Sequence, residues 1–260
     1  MSGSITLENR FGVNKMELIS LKYAIFVIVL LVLYYCFPKK YRWYVLLAGS
    51  MAYYVIICKW YVLFIIFTIC TTYGSTIWIE KLLKKQNAIV KSHKEDWDRQ
   101  TRKEYKEKGR KKRVAVMLFA LLCNFGILAF LKYIPYAGEL GLLLPLGISF
   151  YTFQSMGYVM DVYREIVEPE KNFLKVALFV SFFPQIIQGP IAIYDKLAGQ
   201  LYEGHSLRLE NLQKGALLVL WGVIKKLVIA DRAVNIINFV MDKPMDFSGT
   251  YVFFAAGVFW

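Results

Sequence analysis

Histidine and cysteine are nearly missing from this 260-residue chain, which has two of the first and four of the second. Cys36, Cys58, Cys70 and Cys123 lie in or at the ends of apolar runs, and no pair has metal-ligand or redox spacing. They read as buried thiols. His93 stands in a charged run and His205 in the polar stretch 202–208, so both read as solvated residues rather than ligands or bases. No Gly-rich phosphate loop, G-x-S-x-G elbow or metal cluster is present. These absences leave no catalytic residue, no metal site and no bound cofactor to propose. Charge is scarce as well, at 20% of residues against 57% hydrophobic and 17% aromatic. Soluble domains carry about 25% charged and about 45–50% apolar residues. The excess excludes a disordered chain, a collagen-like chain and a small disulfide scaffold. It argues for an all-α, polytopic transmembrane protein.

A span needs about 20 mostly apolar residues to cross a hydrocarbon core of about 30 Å. Candidate runs cover residues 18–37, 43–58, 61–79, 114–134, 140–160 and 173–191, with a shorter stretch at 212–224 and a last one at 251–260. Only Lys59 and Trp60 separate the second and third runs, which predicts a tight helical hairpin. Residues 1–17 precede the first run and do not read as a cleaved signal peptide; Met16 is an alternative start to Met1. The final run covers about 15 Å as a helix, half a bilayer core. The sequence therefore reads as the N-terminal part of a longer protein.

The net charge of +13 is concentrated in residues 80–113, where 14 Lys and Arg face 6 Asp and Glu. Between spans, a positive loop is an orientation signal. It places 80–113 in the cytoplasm and the N-terminal segment 1–17 outside, with three transmembrane helices within 18–79. Continued alternation places 161–171 inside, 192–211 outside, and Lys225, Lys226 and Arg232 inside. No aromatic platform accompanies the basic loop, so attraction to anionic lipid explains it and nucleic acid is not expected.

Polar residues inside the spans point to internal surfaces. In PLGISFYTFQSMGYVMDVYR (residues 145–164), Tyr151, Gln154, Tyr158 and Asp161 fall on one helical stripe, extended by Gly147. Lipid offers polar groups no partner, so the stripe either lines a lumen or, through Gln154, cross-links helices. In FLKVALFVSFFPQIIQGP (residues 173–190), Pro184 removes one donor, freeing the carbonyl of Val180 and predicting a kink. Gln185 and Gln188 follow it, and Gly189 and Pro190 end the helix. Residues 212–241 read as one long helix in two parts. Asp231, Asn235, Asn238 and Asp242 form an amphipathic stripe in the second part, fitting an interfacial helix or a cavity wall.

Three blocks carry a family resemblance: residues 145–164 above, FFPQIIQGPI (182–191) and LWGVIKKLVIADRA (220–233). Together with KKYRWYVLLAGSMAYY (39–54) and the basic loop, they resemble the membrane-bound O-acyltransferase (MBOAT) family. The likeness is to its bacterial branch, whose members include the alginate O-acetyltransferase membrane subunit and the teichoic acid D-alanyl transfer protein. It runs from about residue 18 to residue 260, with 114–260 as the MBOAT-like region, truncated at its C-terminal end. The resemblance implies a ring of helices around a funnel in the bacterial plasma membrane. It implies acyl transfer, acetyl in preference to D-alanyl, from a cytoplasmic donor such as acetyl-CoA or an acyl carrier protein toward an extracytoplasmic polysaccharide or acyltransferase partner. The family histidine lies in its C-terminal half. Neither His93 nor His205 matches its context, so this stretch alone is expected to be inactive. Tyr151, Gln154, Tyr158, Asp161, Gln185 and Gln188 are the funnel-lining candidates, and Pro184, Gly189 and Pro190 the residues that shape the wall. Two other readings remain: a transporter, which broken helices and midplane polar groups also fit, and a non-catalytic membrane scaffold recruiting a partner through 80–113.

Overall fold

The computed structural model describes residues 21–93, 96–133, 145, 147–241, 248–251, 253 and 257. The segment 1–17, the start of the span expected over 140–160, Asp242 and most of the run 251–260 lie outside the described residues. Among the described residues the regular structure is helical, with no strand. The chain divides into two compact units between His205 and Ser206.

The first unit contains α1 (Leu21–Cys36), α2 (Arg42–Cys58), α3 (Val62–Ser92), α4 (Arg99–Tyr133), α5 (Ile148–Tyr163), α6 (Phe173–Ser181), α7 (Phe183–Gln188) and α8 (Tyr194–Tyr202). Pro38 cannot continue a helix. After it, the Tyr41 amide closes a 3₁₀ turn onto the Pro38 carbonyl at 2.9 Å and folds α2 back toward α1. The turn Lys59–Tyr61 joins α2 to α3, with Lys59 at φ 48°. The expected hairpin is joined tightly but is not packed tightly: α6 packs against both α2 and α3. Among the described residues two stretches are long and apolar enough to cross a membrane, Lys39–Ser92 with its internal turn and Arg99–Tyr133.

The centre of the unit is α3 packed on α4 and α5. Its hydroxyls are satisfied locally: Thr72 donates to the Thr68 carbonyl at 2.6 Å and Thr76 to the Thr72 carbonyl at 2.9 Å. Asn124 of α4 donates to the Thr71 hydroxyl at 2.9 Å, tying α4 to α3. Lipid tails are as apolar as Leu, so close packing and bonds of this kind hold membrane helices together.

The basic segment 80–113 is not a loop. It is the outer half of α3 and the first half of α4, joined at a turn where His93 stacks on Trp97 with ring centres 4.8 Å apart. Lys, Arg, Glu and Gln are good helix formers. The i,i+4 pairs Glu80–Lys84 and Glu107–Lys111 add a little more. His93 is therefore partly buried in the turn, whereas His205 is exposed, as expected.

The alternation of sides also fails at one point. Residues 173–191 do not form a span: α6 is nine residues, about 13.5 Å long, and the chain then breaks, turns and returns. Tyr194 at the start of α8 stacks on Tyr158 of α5, ring centres 4.1 Å apart. The Tyr202 hydroxyl donates to the Lys175 carbonyl at 2.8 Å. The His205 amide donates to the Tyr34 hydroxyl at 3.2 Å, and Arg42 donates to the His205 carbonyl. Residues 194–205 thus lie on the same side as 165–175 and the α1–α2 turn, not opposite them. The assignment of Lys225, Lys226 and Arg232 to the inside rested on that alternation and loses its premise.

In the second unit, α9 (Leu209–Ile224) runs through a π-helical turn, Lys225–Ala230, into α10 (Asp231–Met241). The two-part long helix expected here is present, and the π turn marks the junction. Leu217, Leu218, Val219, Leu220 and Trp221 are all exposed, so this stretch of α9 is apolar on every face, after a first part that carries Glu210, Asn211, Gln213 and Lys214. In α10, Asp231 and Arg232 are exposed and Ile237 and Val240 are buried, but Val234 and Phe239 are exposed as well, so its exposed side is not purely polar. The side chains of Asn235 and Asn238 lie outside the described residues.

Candidate functional site

Pro184 does not kink a continuous helix. The break falls two residues earlier, at Phe182, which is extended (φ −60°, ψ 105°). Pro184 then sits in the first turn of α7, where its missing N–H costs nothing. A continuous helix would bond the Phe183 amide to the Phe179 carbonyl. Here both groups find side chains instead. Gln154 of α5 donates to the Phe179 carbonyl at 2.8 Å, and the Phe183 amide donates to the Ser50 hydroxyl of α2 at 3.4 Å. Leaving either group unpaired in the interior costs about 1–3 kcal/mol, so α5 and α2 hold the break open from two sides.

The short α7 is wedged against the start of α5. Gly147 caps α5 in the left-handed region (φ 70°), and its carbonyl accepts from the Tyr151 amide at 3.0 Å. A Cβ at Gly147 would collide with the carbonyl and side chain of Ile186 in α7. Around Phe183, the rings of Tyr23, Phe26 and Tyr53 lie 6.2, 5.3 and 5.4 Å away, so α1 and α2 close the other side. Gly189 ends α7, its amide on the Gln185 carbonyl at 3.0 Å; Gly189 and Ile193 are both extended, with no helix between them.

Of the stripe expected on α5, the structure brings together Tyr151, Gln154 and Tyr158, all buried. Tyr151 meets Tyr54 edge-on at 6.2 Å, and Tyr158 accepts from the Glu170 amide at 2.8 Å. Asp161 is only partly buried, at the end of α5, where its carbonyl accepts from the Ile166 amide at 3.0 Å. Gln185 is half-buried, with no partner for Oε1 among the described residues. The side chain of Gln188 lies outside the described residues. Ser155 and Ser181 are fully buried, and their hydroxyls are likewise without partners among the described residues.

Beside this wall a cleft of about 500 Å³ opens between residues 167–171 and α8, lined by Glu168, Glu170, Lys171, Tyr194, Asp195 and Tyr202. Lys175 lies over the Tyr202 ring at 4.9 Å and 3.7 Å from Glu170. Burial pushes the Tyr194 and Tyr202 hydroxyls up from their usual range, so both stay neutral donors. No set of three His, Cys, Asp or Glu placed to hold a metal occurs among the described residues. The partners that sequence reasoning missed are Ser50, Tyr194 and Tyr202, each made significant only by the return of the chain. The arrangement is a buried polar wall around a broken helix, built to hold backbone away from lipid.

A helical protein with a re-entrant broken helix in an apolar bundle is the class this defines, and within it the chain resembles the bacterial membrane-bound O-acyltransferases. It is 31% identical over 170 residues to the peptidoglycan O-acetyltransferase of Helicobacter pylori, a match covering 51% of this chain and 32% of that protein. It is 38% identical over 104 residues to the probable alginate O-acetylase AlgI of Pseudomonas syringae pv. tomato, covering 39% of this chain and 20% of the relative. It is 33% identical over 129 residues to that of Azotobacter vinelandii, covering 49% and 24%. The matched part thus spans a third or less of these relatives. No protein-family model matches the chain, and no solved structure matches it.

Proposed function

We propose that this chain is part of a multi-pass membrane O-acyltransferase, which passes an acetyl group from a cytoplasmic donor to hydroxyls of an extracytoplasmic envelope polysaccharide. The observation that carries the proposal is the broken, re-entrant helix with its polar partners, in a chain similar to proteins named for acetyl transfer to alginate and peptidoglycan. Backbone leaves helical form at membrane depth only where protein or a cavity receives it, and an acyl group crossing a bilayer needs such a path.

In this proposal the α6–α7 break forms one wall of the path. Gln154 and Ser50 position it, Pro184, Gly189 and Pro190 shape it, and Tyr151, Tyr158, Asp161, Gln185 and Gln188 belong to its polar lining and backing. The donor is acetyl-CoA or an acyl carrier protein. The general base that deprotonates the nucleophile is a histidine outside this stretch. The basic side, with residues 39–42 and 80–113, faces the cytoplasm, so α6 and α7 enter from there.

The test is deletion of the coding gene, followed by mild-alkali release and quantitation of ester-linked acetate from purified envelope polysaccharides. Loss of ester acetate, restored by the wild-type gene, supports acetyl transfer. Unchanged ester acetate on every envelope polymer overturns it, and loss of ester-linked D-alanine instead identifies a different acyl group.

A further inference from the structure

The two helical halves of the basic segment enclose a cleft of about 420 Å³ between α3, α4 and Glu165. On α4, Lys103, Lys106, Arg110 and Arg113 fall at i, i+3, i+7 and i+10, a single stripe facing this space. The cleft is a built one. Arg113 forms its floor, buried and paired to Glu165 at 2.9 Å. Gln86 is buried beneath it and donates to the Lys106 carbonyl at 3.2 Å. Gly109 permits this approach, because a Cβ there would collide with the Gln86 amide.

The charges in the cleft do not balance. Lys84 and Lys111, which do not line it, have i,i+4 carboxylate partners. Lys103, Lys106 and Arg110 form no ion pair among the described residues, although they converge on one concavity. Glu107 lines it too, but leans to Lys111 at 3.8 Å, and Glu165 is committed to Arg113. Three unpaired cations facing one space repel each other, and a multivalent anion removes that cost. Arg113 also directly precedes the apolar run that begins at Val114, so the floor of the cleft lies at headgroup depth.

We propose that this cleft is a binding site for a phosphate group, held by Lys103, Lys106 and Arg110. The group arrives either on an anionic lipid headgroup or on a soluble phosphate compound. The inference is independent of acyl transfer, since it rests only on the α3–α4 hairpin and Glu165.

The full chain, purified in neutral detergent, is titrated calorimetrically in low salt with inorganic pyrophosphate and, separately, with dioctanoyl phosphatidylglycerol, using dioctanoyl phosphatidylcholine as the neutral reference. Two variants are compared, K106Q/R110Q in the cleft and K108Q/K112Q outside it. All four positions are exposed, so neither variant disturbs packing. The expected result is saturable binding that weakens about twenty-fivefold in K106Q/R110Q, because each basic residue near an anionic surface contributes about fivefold. K108Q/K112Q is expected to bind as wild type does. Saturable pyrophosphate binding identifies a soluble source, saturable phosphatidylglycerol binding a lipid source, and both together a site for the shared chemistry. No saturable binding of either probe, or equal weakening in the two variants, overturns the site.

Discussion

Replacing Gln154 with Leu tests why the helix breaks where it does. The substitution keeps most of the volume, removes the 2.8 Å bond and leaves the Phe179 carbonyl without a partner. Gln154 is 4% exposed, so water does not reach the vacated position freely. An orphaned buried carbonyl costs about 1–3 kcal/mol, whereas bonds between membrane helices average about 0.6 and reach about 1.7 kcal/mol. The membrane figure is lower because an unfolded chain in lipid finds other partners. In the folded state this carbonyl has no such choice: the amide that would reach it, Phe183, is on Ser50. The upper end therefore applies, about 1.5 kcal/mol, or roughly twelvefold in the unfolding equilibrium. S50A removes a longer contact of 3.4 Å, near the limit for a hydrogen bond, and is expected to cost less than Q154L, about 1 kcal/mol, the lower end for an orphaned buried amide. The double variant is the sharper test. With both side chains gone, the Phe183 amide and the Phe179 carbonyl become free to bond each other, so the double variant costs less than the sum of the single ones, by about 0.5 kcal/mol. Unfolding in mixed micelles of rising SDS fraction, followed by circular dichroism, measures all three. A neutral Q154L, an S50A costlier than Q154L, or strict additivity refutes the account of the break.

Four further outcomes follow from the same geometry. In a cysteine-free background, single cysteines at the exposed positions Lys171 and Asp195 are expected to react with an impermeant maleimide from the same side of the membrane; labelling from opposite sides refutes the re-entrant path. G147A forces a Cβ into the Ile186 carbonyl at φ 70° and is expected to lower the SDS midpoint by the equivalent of about 2 kcal/mol or more. Y202F removes one hydroxyl bond of 2.8 Å between α8 and α6 and is expected to cost about 1 kcal/mol in the same assay. E165Q leaves the buried Arg113 guanidinium without a counter-charge; because Glu165 is half exposed the cost is held to about 1 kcal/mol, and R113M is expected to be milder than R113A, which also loses packing.

The helices were legible in the sequence because apolar runs and their breakers are local. Pro38, Lys59 with Trp60, and Gly189-Pro190 mark three helix ends near where the structure has them. The stripe of Tyr151, Gln154 and Tyr158 was legible for the same reason, since helical period alone brings those residues to one face. Its meaning was not. Whether Gln154 faces a lumen or a neighbouring helix depends on Phe179, 25 positions away, and on a break that Pro184 does not place by itself. A proline announces the loss of one bond, at Val180. The second lost bond, between Phe179 and Phe183, is tolerated only because Ser50 and Gln154 come from distant parts of the chain to replace it.

The same reasoning explains why counting spans put 194–205 opposite 165–175. Hydropathy over residues 173–191 satisfies the length of a membrane crossing, but length is used up by extended backbone at Phe182 and again after Gly189. A re-entrant segment and a span have the same composition, and they differ in where the chain re-emerges. In this protein that is read from Tyr194 on Tyr158 and Tyr202 on Lys175. The consequence runs through charge as well. With 194–205 returned to the side of Lys39, Arg42 and the 80–113 hairpin, the first unit gathers its basic segments and its two charged clefts at one end. The far end holds the α2–α3 turn with Lys59, the start of α1 with Lys22 and the end of α4 with Lys132, isolated cations set against the clustered basic segments at the other end. Within the first unit that asymmetry is stronger than the one alternation gave, because the re-entrant hairpin moves Lys196 and Arg42's partner His205 to the basic side, while Lys225, Lys226 and Arg232 of the second unit lose the inside assignment that alternation gave them.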